Sequence, residues 1–479
     1  MKGTSARRVP LRELEGTTRA LLEKGGRMQM AYANPRPDGL LELRYLATPH
    51  EPNTPFEMWI CALDGEPPSL AHIWPLLGWY EREIMDLYGI RFRDHPEPDP
   101  LVLQNSESAD NVPRAVPEIL AREVQALPFG PVRADVLESA EFTFLYIGEQ
   151  IIHYAPHLFY KHRGMESRFE GLDVQRGVVM AERVSGVGTV AHALAFCQAV
   201  EAASDCAVPQ RARRLRVVIA ELERIYNHLH YLGHLCNTTT LKVGEAQGKL
   251  LEEQAKQINA RLTGSRFLRS ILIPGGLRRD LRPDNWLRDA LEALRDETVR
   301  YVKHLEDSES HLDRLITTGV LNDRVAFDQG ATGPIQRASG ADRDLRRDHH
   351  YAAYGELAPA IPVRSEGDAY ARARVRIEEI DASIALIQRV LLLLPSDGEV
   401  RAHCVPAPGA EGLGWTESPR GSLFYAVHFG SDALLRRVKI KSPSFSNWRV
   451  FPFTVHETNM MDYAINEASF GLTIAGCAR

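Results

Sequence analysis

The apolar positions follow two periods. From Arg211 to Leu235, "RARRLRVVIAELERIYNHLHYLGHL" places Leu215, Val218, Ile219, Leu222, Ile225, Leu229 and Leu232 on one stripe. That spacing predicts a helix with one face buried. "EGDAYARARVRIEEIDASIALIQRVLLLL", from Glu366 to Leu394, predicts a second long helix with Val375, Ile377, Ile380, Ile384 and Ile387 inward. Long helices with few strands between them point to a bundle core. Toward the N-terminus the pattern shortens. "LRELEGTTRALLEKG" predicts a helix that stops at Gly25 and Gly26. "LLELRYLAT" and "FEMWICALDG" predict strands bounded by Pro and Gly. "SLAHIWPLLGWYEREIMDLYGI" predicts a helix, interrupted near Pro75 and ended at Gly89. The proline-rich stretch from about 93 to 126, with its polar "NSESADN", predicts a linker. "PFGPVRADVLESAEFTFLYIGEQI" and "GSLFYAVHFGSDALLRRVKIKSPSF" predict sheet pieces, and no internal repeat is visible. The expected fold class is α+β: a small N-terminal α/β domain, then a mainly helical domain with peripheral β-sheet.

Composition narrows this picture. The 479 residues are enough for two to four domains, and 44% hydrophobic with 25% charged is ordinary for a globular protein. A net charge of −6 without a long basic run argues against nucleic acid as a partner. The N-terminus has no apolar core after its basic residues, so no signal peptide is expected. The strongest apolar run, Val390 to Leu394, ends at Pro395 and is far too short to span a bilayer. A peripheral place on a membrane complex stays open. Cys61, Cys197, Cys206, Cys236, Cys404 and Cys477 form no C-x-x-C pair. They fit a reduced intracellular chain with mostly buried thiols.

Several clusters carry possible chemistry. His228, His230 and His234 share one helix, and His230 and His234 are spaced as metal ligands on one face. With no acidic base between them and no third ligand, a structural role is expected. Asp348, His349 and His350 fit a packed or solvated turn better than a metal site. "IPGGLRRDL" lacks the glycine spacing and lysine of nucleotide loops, so it predicts a tight turn presenting Arg278 and Arg279 to other protein groups. In "ESPRGSLFYAV", Pro419 and Gly421 pin a turn that fixes Arg420. A rigid guanidinium serves as an anion clamp or as the partner of a buried carboxylate, and both remain open.

Several stretches agree with one family. "LFYKHRGME", "ERVSGVGTVAHALAFCQAVE", "VPQRARRLRVVIAELERIYNHLHYLG", "LTGSRFLRSILIPGGLRRDL", "RASGADRDLRRDHHYAAYG", "ESPRG" and "RVKIKSPSFSNW" occur in the family's order. Residues 127–479 resemble the large subunit of membrane-bound group 4 nickel–iron hydrogenases, as in formate hydrogenlyase, and its relative in respiratory complex I, the 49-kDa subunit. "GWYEREIMDLYGIRFRDHPEPDPLVL" makes the N-terminal part similar to the complex I 30-kDa subunit. The implied division is a 30-kDa-like domain at 1–104, a linker at 105–126 and the large-subunit domain at 127–479.

The resemblance also implies a site. In the family, a motif like E-R-x-C-G-x-C-x-x-x-H supplies two nickel ligands, and a C-terminal D-P-C-x-x-C-x-x-R supplies two more. Thiolates suit that centre because they are soft and can bridge two metals. Here the first frame survives as Glu182, Arg183, Ser185, Gly188 and His192. Aligning on Arg479 places Gly471, Thr473 and Gly476 in the second, with Cys477 one residue out of register. Ser185, Gly188, Thr473 and Gly476 are therefore expected to be vacated ligand positions. No nickel–iron centre and no other cofactor in this chain is expected, and no counterpart of the family's cleaved maturation tail is expected. The family's quinone-contacting His and Tyr align with Arg133 and Gly186. Arg133, Asp135, Glu138, Glu166, Arg183, His192 and Arg420 are expected around the vacated cavity, with Glu138, His192 and Arg420 the candidate catalytic groups.

The implied role is a subunit of the oxidoreductase family, NADH-quinone-oxidoreductase-like or hydrogenase-like, that does not turn over hydrogen. It would couple redox or conformational change to ion translocation. The alternative is electron transfer to quinone or another small substrate in the cavity. Implied partners are a small subunit carrying an iron–sulfur cluster and antiporter-like membrane subunits, at the cytoplasmic face of the inner membrane.

Overall fold

The computed structural model describes residues 4–36, 38–50, 53–103, 123–133 and 138–479. The N-terminal unit is a four-stranded sheet in the order β1 (Thr4–Arg8), β4 (Phe56–Ala62), β3 (Leu41–Thr48), β2 (Arg27–Pro35), with β1 parallel to β4 and the other pairs antiparallel. Helix α1 (Leu11–Glu23) links β1 to β2, and α2 (Gly78–Tyr88) packs near β2 and ends on Gly89 in the left-handed conformation. β3, β4 and α1 fall where the pattern predicts them. The residues before Pro75 form turns rather than a helix, and a short 3-10 segment, Pro75–Leu77, leads into α2. Proline at the head of that segment removes the N–H that a continuing helix needs.

The expected linker is only partly within the described residues. Those from 93 to 103 are tied down rather than loose. The Asp86 carboxylate accepts the backbone N–H groups of Leu101 and Val102 at 2.8 and 2.6 Å, and Arg82 donates to the carbonyls of Asp99 and Pro100. Leu101 and Val102 are buried. At the far end, strand β5 (Gln125–Phe129) takes the last two positions of the expected linker.

β5 pairs with β6 (Glu141–Ile147) and β6 with β7 (Gln150–His157). Helices α3 (Val174–Ala181), α4 (Thr189–Ala203), α5 (Gln210–Thr238) and α6 (Lys242–Thr263) follow, then the β8–β9 hairpin (Leu272–Ile273, Gly276–Leu277) and α7 (Asn285–Glu306). The short helices α8 (Glu309–Leu315), α9 (Asp323–Asp328), α10 (Pro334–Ala338) and α11 (Leu345–Asp348) lead to α12 (Ala369–Leu393). A second antiparallel sheet, β10 (Glu411–Ser418), β11 (Gly421–Phe429) and β12 (Leu435–Lys441), precedes α13 (Pro443–Val450), α14 (Tyr463–Phe470) and α15 (Ile474–Cys477). The fold is α+β as expected.

α5 runs through the centre, packed on α6, α12 and α14. Every residue of its predicted apolar stripe is buried, and along α12 Val375, Ile380, Ile384 and Ile387 are buried while Ile377 is half-buried. α5 and α6 cross on two glycines: a Cβ at Gly248 would lie 2.7 Å from the Gly233 Cα. β10 lies on α4 just as closely, since a Cβ at Gly412 would stand 1.9 Å from the Ala199 carbonyl oxygen. No larger residue fits either contact.

One apolar core runs from Val9 to Ala478 through both units. Polar pins cross between them. Arg44 on β3 forms a fork with Glu411 at 2.9 and 3.0 Å, and the Tyr32 hydroxyl bonds His428 at 3.1 Å. Glu83 on α2 receives Arg479 at 2.8 Å and Lys439 at 2.5 Å. No helix among the described residues is long and apolar enough to cross a membrane.

Candidate functional site

The loop before α4 and the last turn of the chain meet. Ser185, Gly188, Thr473 and Gly476, about 290 residues apart in sequence, line one small cavity together with His192 and Arg420. The seam between the two segments is held by Arg163, which donates to the carbonyls of Val184 at 2.6 Å and Ala475 at 2.9 Å. Arg163 lies in "LFYKHRGME"; its sequence context marks the segment, but only the fold shows that this side chain bridges two distant loops.

Each wall has a local cause. The first turn of α4 leaves unpaired N–H groups, and Glu223 of α5 accepts those of Val190 and Ala191 at 2.6 and 2.9 Å. Burial pushes the Glu223 carboxyl up to about 7, despite those two hydrogen bonds. "KSPSF" starts α13, with Ser442 as cap and Pro443 in the first turn. Ser442, Ser444 and Ser418 add hydroxyls to the lining, which Val187, Pro419 and Pro443 complete. Thr473 caps α15: its Oγ1 accepts from the Gly476 N–H at 3.1 Å and bonds Ser444 Oγ at 3.2 Å. Arg420 sits in the β10–β11 turn and donates to the Gly471 carbonyl at 2.7 Å and to Asn227 Oδ1 at 2.8 Å. It forms no ion pair among the described residues, so its direct partners are neutral. Burial, then the like charge of Arg376, lowers its pKa to about 10.

The seven expected polar residues do not all gather here. His192 and Arg420 line the cavity. Glu138 stands behind it, its carboxylate accepting the Ile474 N–H, so it braces α15 rather than lining the space. Arg133 is bound to Glu467 at 3.0 and 2.8 Å and lies over Phe142. Glu166 belongs to the Glu83, Lys439, Arg437 and Arg479 cluster. Arg183, in the turn after α3, is exposed and donates to the Val179 carbonyl of that helix. Asp135 lies outside the described residues. The separations arise because these charges each meet a nearer partner when the elements pack.

The other clusters serve structure. His228 is buried and bonds Glu379 at 2.7 Å; His230 pairs with Glu252 on α6. His349 stacks on Phe56 with centroids 4.1 Å apart. Arg278 and Arg279 donate to the carbonyls of Ser270 and Thr263. Around His228 lies a buried ionic network that sequence reasoning missed: Glu379 receives Arg337 at 2.8 Å and Arg346 at 2.9 Å, Arg224 stands 3.6 Å away, and Glu221 bonds Arg224, Tyr354 and Ser383.

His192 is fully enclosed, with Nδ1 2.7 Å from the Tyr425 hydroxyl. Burial, aided by Arg163, lowers its pKa to about 3, so the ring is neutral near pH 7. The unfolded value is about 6.5. Between the two values the unfolded chain holds the extra proton, and stability falls as pH falls. The effect is about 1.4 kcal/mol per pH unit for this one group. In urea titrations from pH 6.5 down to 5, the stability advantage of the wild type over His192→Gln is expected to shrink by that slope. A constant difference would contradict a buried neutral imidazole.

Comparison with known proteins fits this geometry. Residues 251–407 match "Respiratory-chain NADH dehydrogenase, 49 Kd subunit", residues 28–113 the 30 Kd subunit of the same enzyme, and residues 163–263 "Nickel-dependent hydrogenase". An NADH-quinone oxidoreductase subunit of Roseiflexus sp. is 33% identical over 320 residues, 63% of this chain and 84% of the relative. The chain belongs to the complex I 49-kDa and hydrogenase large-subunit family, joined to a 30-kDa-type unit. Formate hydrogenlyase subunit 5 of Escherichia coli is 29% identical over 421 residues, covering 83% of this chain and 74% of the relative. A chain of the membrane-bound sulfane sulfur reductase, an archaeal respiratory membrane complex, superposes with a TM-score of 0.70 at 25% identity, covering 75% of this chain and all of that one. In this 49-kDa-type chain the loop before α4 lies within the stretch that matches the nickel-dependent hydrogenase description.

Proposed function

We propose that this chain is a metal-free, hydrogenase-like large subunit of a membrane-associated, complex I-like assembly. It couples redox or conformational change to ion translocation. The observation that carries this reading is the convergence of Ser185, Gly188, Thr473 and Gly476 on one cavity. They offer two hydroxyls and two glycines where a nickel–iron centre needs four soft thiolates. One of the hydroxyls, Thr473 Oγ1, is already engaged as a helix cap. The Cys477 thiol does not line the cavity, and burial pushes it well above its ordinary pKa. The donor set does not fit the metal.

In this reading the chain keeps the family's division into 1–104, 105–126 and 127–479. It docks an iron–sulfur small subunit and antiporter-like membrane subunits, peripheral to the cytoplasmic face of the inner membrane. Its relatives in formate hydrogenlyase, NADH-quinone oxidoreductase and the sulfane sulfur reductase support that setting.

The second reading, quinone or another small substrate reduced in the cavity, has less support. The cavity volume is about 20 Å³, room for about one water molecule. Metal analysis of the purified intact assembly tests the proposal. We expect nickel far below one per chain in assemblies that drive ion flux. Stoichiometric nickel, or hydrogen evolution lost on chelation, would overturn it.

A further inference from the structure

A larger cavity, of about 280 Å³, opens between the N-terminal sheet and the large unit, away from the loops just described. Arg27 enters from the start of β2, Gln336 from α10, and Arg343 from the loop between α10 and α11. Arg27 is buried and donates to Gln336 Oε1 at 3.2 Å and to the Ala331 carbonyl at 2.7 Å. Among the described residues its Nε has no hydrogen-bond partner, and neither has Nε2 of the buried Gln336. Two orphaned buried donors from opposite sides of one interface are costly and uncommon.

The charges make the same point. The guanidinium carbons of Arg27 and Arg343 lie 5.6 and 5.2 Å from the centre of the same Phe327 ring. Neither forms an ion pair among the described residues. Burial, then the like charge of Arg343, lowers the Arg27 pKa to about 9. Lys441, close behind, is pushed well below its ordinary pKa by burial and then by Arg27. The carboxylates that also line the cavity each have a partner in contact, although burial and then Asp344 push the Glu417 carboxyl up to about 7. Asp344 holds Arg337 and Arg346, Asp342 and Asp348 share Arg347, and Glu417 takes Arg337 and the Leu345 N–H. Neither guanidinium has a counter-charge in contact among the described residues, although Glu417 and Asp348 attract Arg27 and Arg343 from farther off, and the unmatched hydrogen-bonding groups are donors.

We propose that this inter-unit cavity binds one small oxyanion of the carboxylate or phosphate class, held by Arg27, Arg343 and Gln336. The planar fork of arginine matches both anions. The volume is at the small end of ligand pockets, which suits a few-atom anion rather than a nucleotide. Bound there, the anion separates two like charges and ties the N-terminal unit to the large one.

Inorganic phosphate and succinate, each titrated calorimetrically into the full chain, test this. We expect saturable binding of at least one, at one per chain, together with a rise in melting temperature. Phosphate alone would assign a tetrahedral anion and succinate alone a carboxylate. Arg343→Gln is expected to weaken binding about tenfold or more, with a melting temperature in the absence of anion no lower than that of the wild type, because Arg343 is only half-buried and its loss removes a like charge beside Arg27. Arg27→Gln should abolish binding; if it does not fold, the Arg343→Gln arm still decides. Absence of binding by both anions up to about 10 mM, or equal binding by Arg343→Gln, would overturn the proposal. Neither result depends on whether the smaller cavity holds metal.

Discussion

Replacing Glu379 by alanine is expected to lower the unfolding free energy by about 3–5 kcal/mol. Burial alone would raise the Glu379 carboxyl; Arg337, Arg224, the hydrogen bond from His228 and Arg346 instead hold it well below the usual carboxylate range. Its two oxygens are the shared acceptor of Arg337, Arg346 and His228. Without them, buried guanidinium groups from α5, α10 and α11 lose a counter-charge in a place water does not reach. Glu378→Ala, one residue along, is the control: its partners Arg364 and Arg374 are partly exposed, and it should cost no more than about 1 kcal/mol. Urea titration of the two variants decides. Equal costs would mean that the network contributes no more than a surface pair.

Arg420→Met is expected to leave the assembly intact but cut redox-driven ion flux by about tenfold or more, equivalent to 1.4 kcal/mol or more on the coupling step. Among the described residues Arg420 is the one cation lining the small cavity, and it joins the β10–β11 turn to α5 through Asn227 and to the C-terminal segment through Gly471. Losing it leaves the Asn227 oxygen and the Gly471 carbonyl without that donor, at a local cost of about 1–3 kcal/mol. Arg420→Lys separates charge from shape, since lysine keeps the charge without the two-armed contact. Partial recovery with lysine is expected. Full coupled flux in the methionine variant, measured in sealed vesicles with the complex at normal abundance, would rule out a working role for this side chain.

The helices were legible because periodicity is local. Leu215 to Leu232 announce α5, and a buried stripe needs only the 3.6-residue turn to be seen. β2 was not announced. Its "RMQMAYANP" is buried along nearly its whole length, so it shows no clean alternation, and it carries Arg27 and Gln29 inward against Gln336 and Lys441, far along the chain. The same limit hid the ionic network. On α5 the polar positions Arg216, Glu221, Glu223, Arg224 and His228 fall outside the predicted apolar stripe, yet all are buried. A polar residue's fate depends on whether another element supplies its counter-charge, and that is not written within one helix.

The cavity divides in the same way. The amino-acid sequence by itself determined the frame: Glu182, Arg183, Ser185, Gly188 and His192 in one motif, Thr473, Gly476 and Arg479 in another, and no thiol in register at the four marked positions. Those are statements of residue type and spacing, which the order of the chain fixes. Only the tertiary structure decided that Arg163 clamps the two loops together and that Glu138 braces α15 from behind. It also decided that Arg133, Glu166 and Arg183 go elsewhere. A charged side chain takes the partner that packing brings within about 3 Å, and packing is a property of all the elements together.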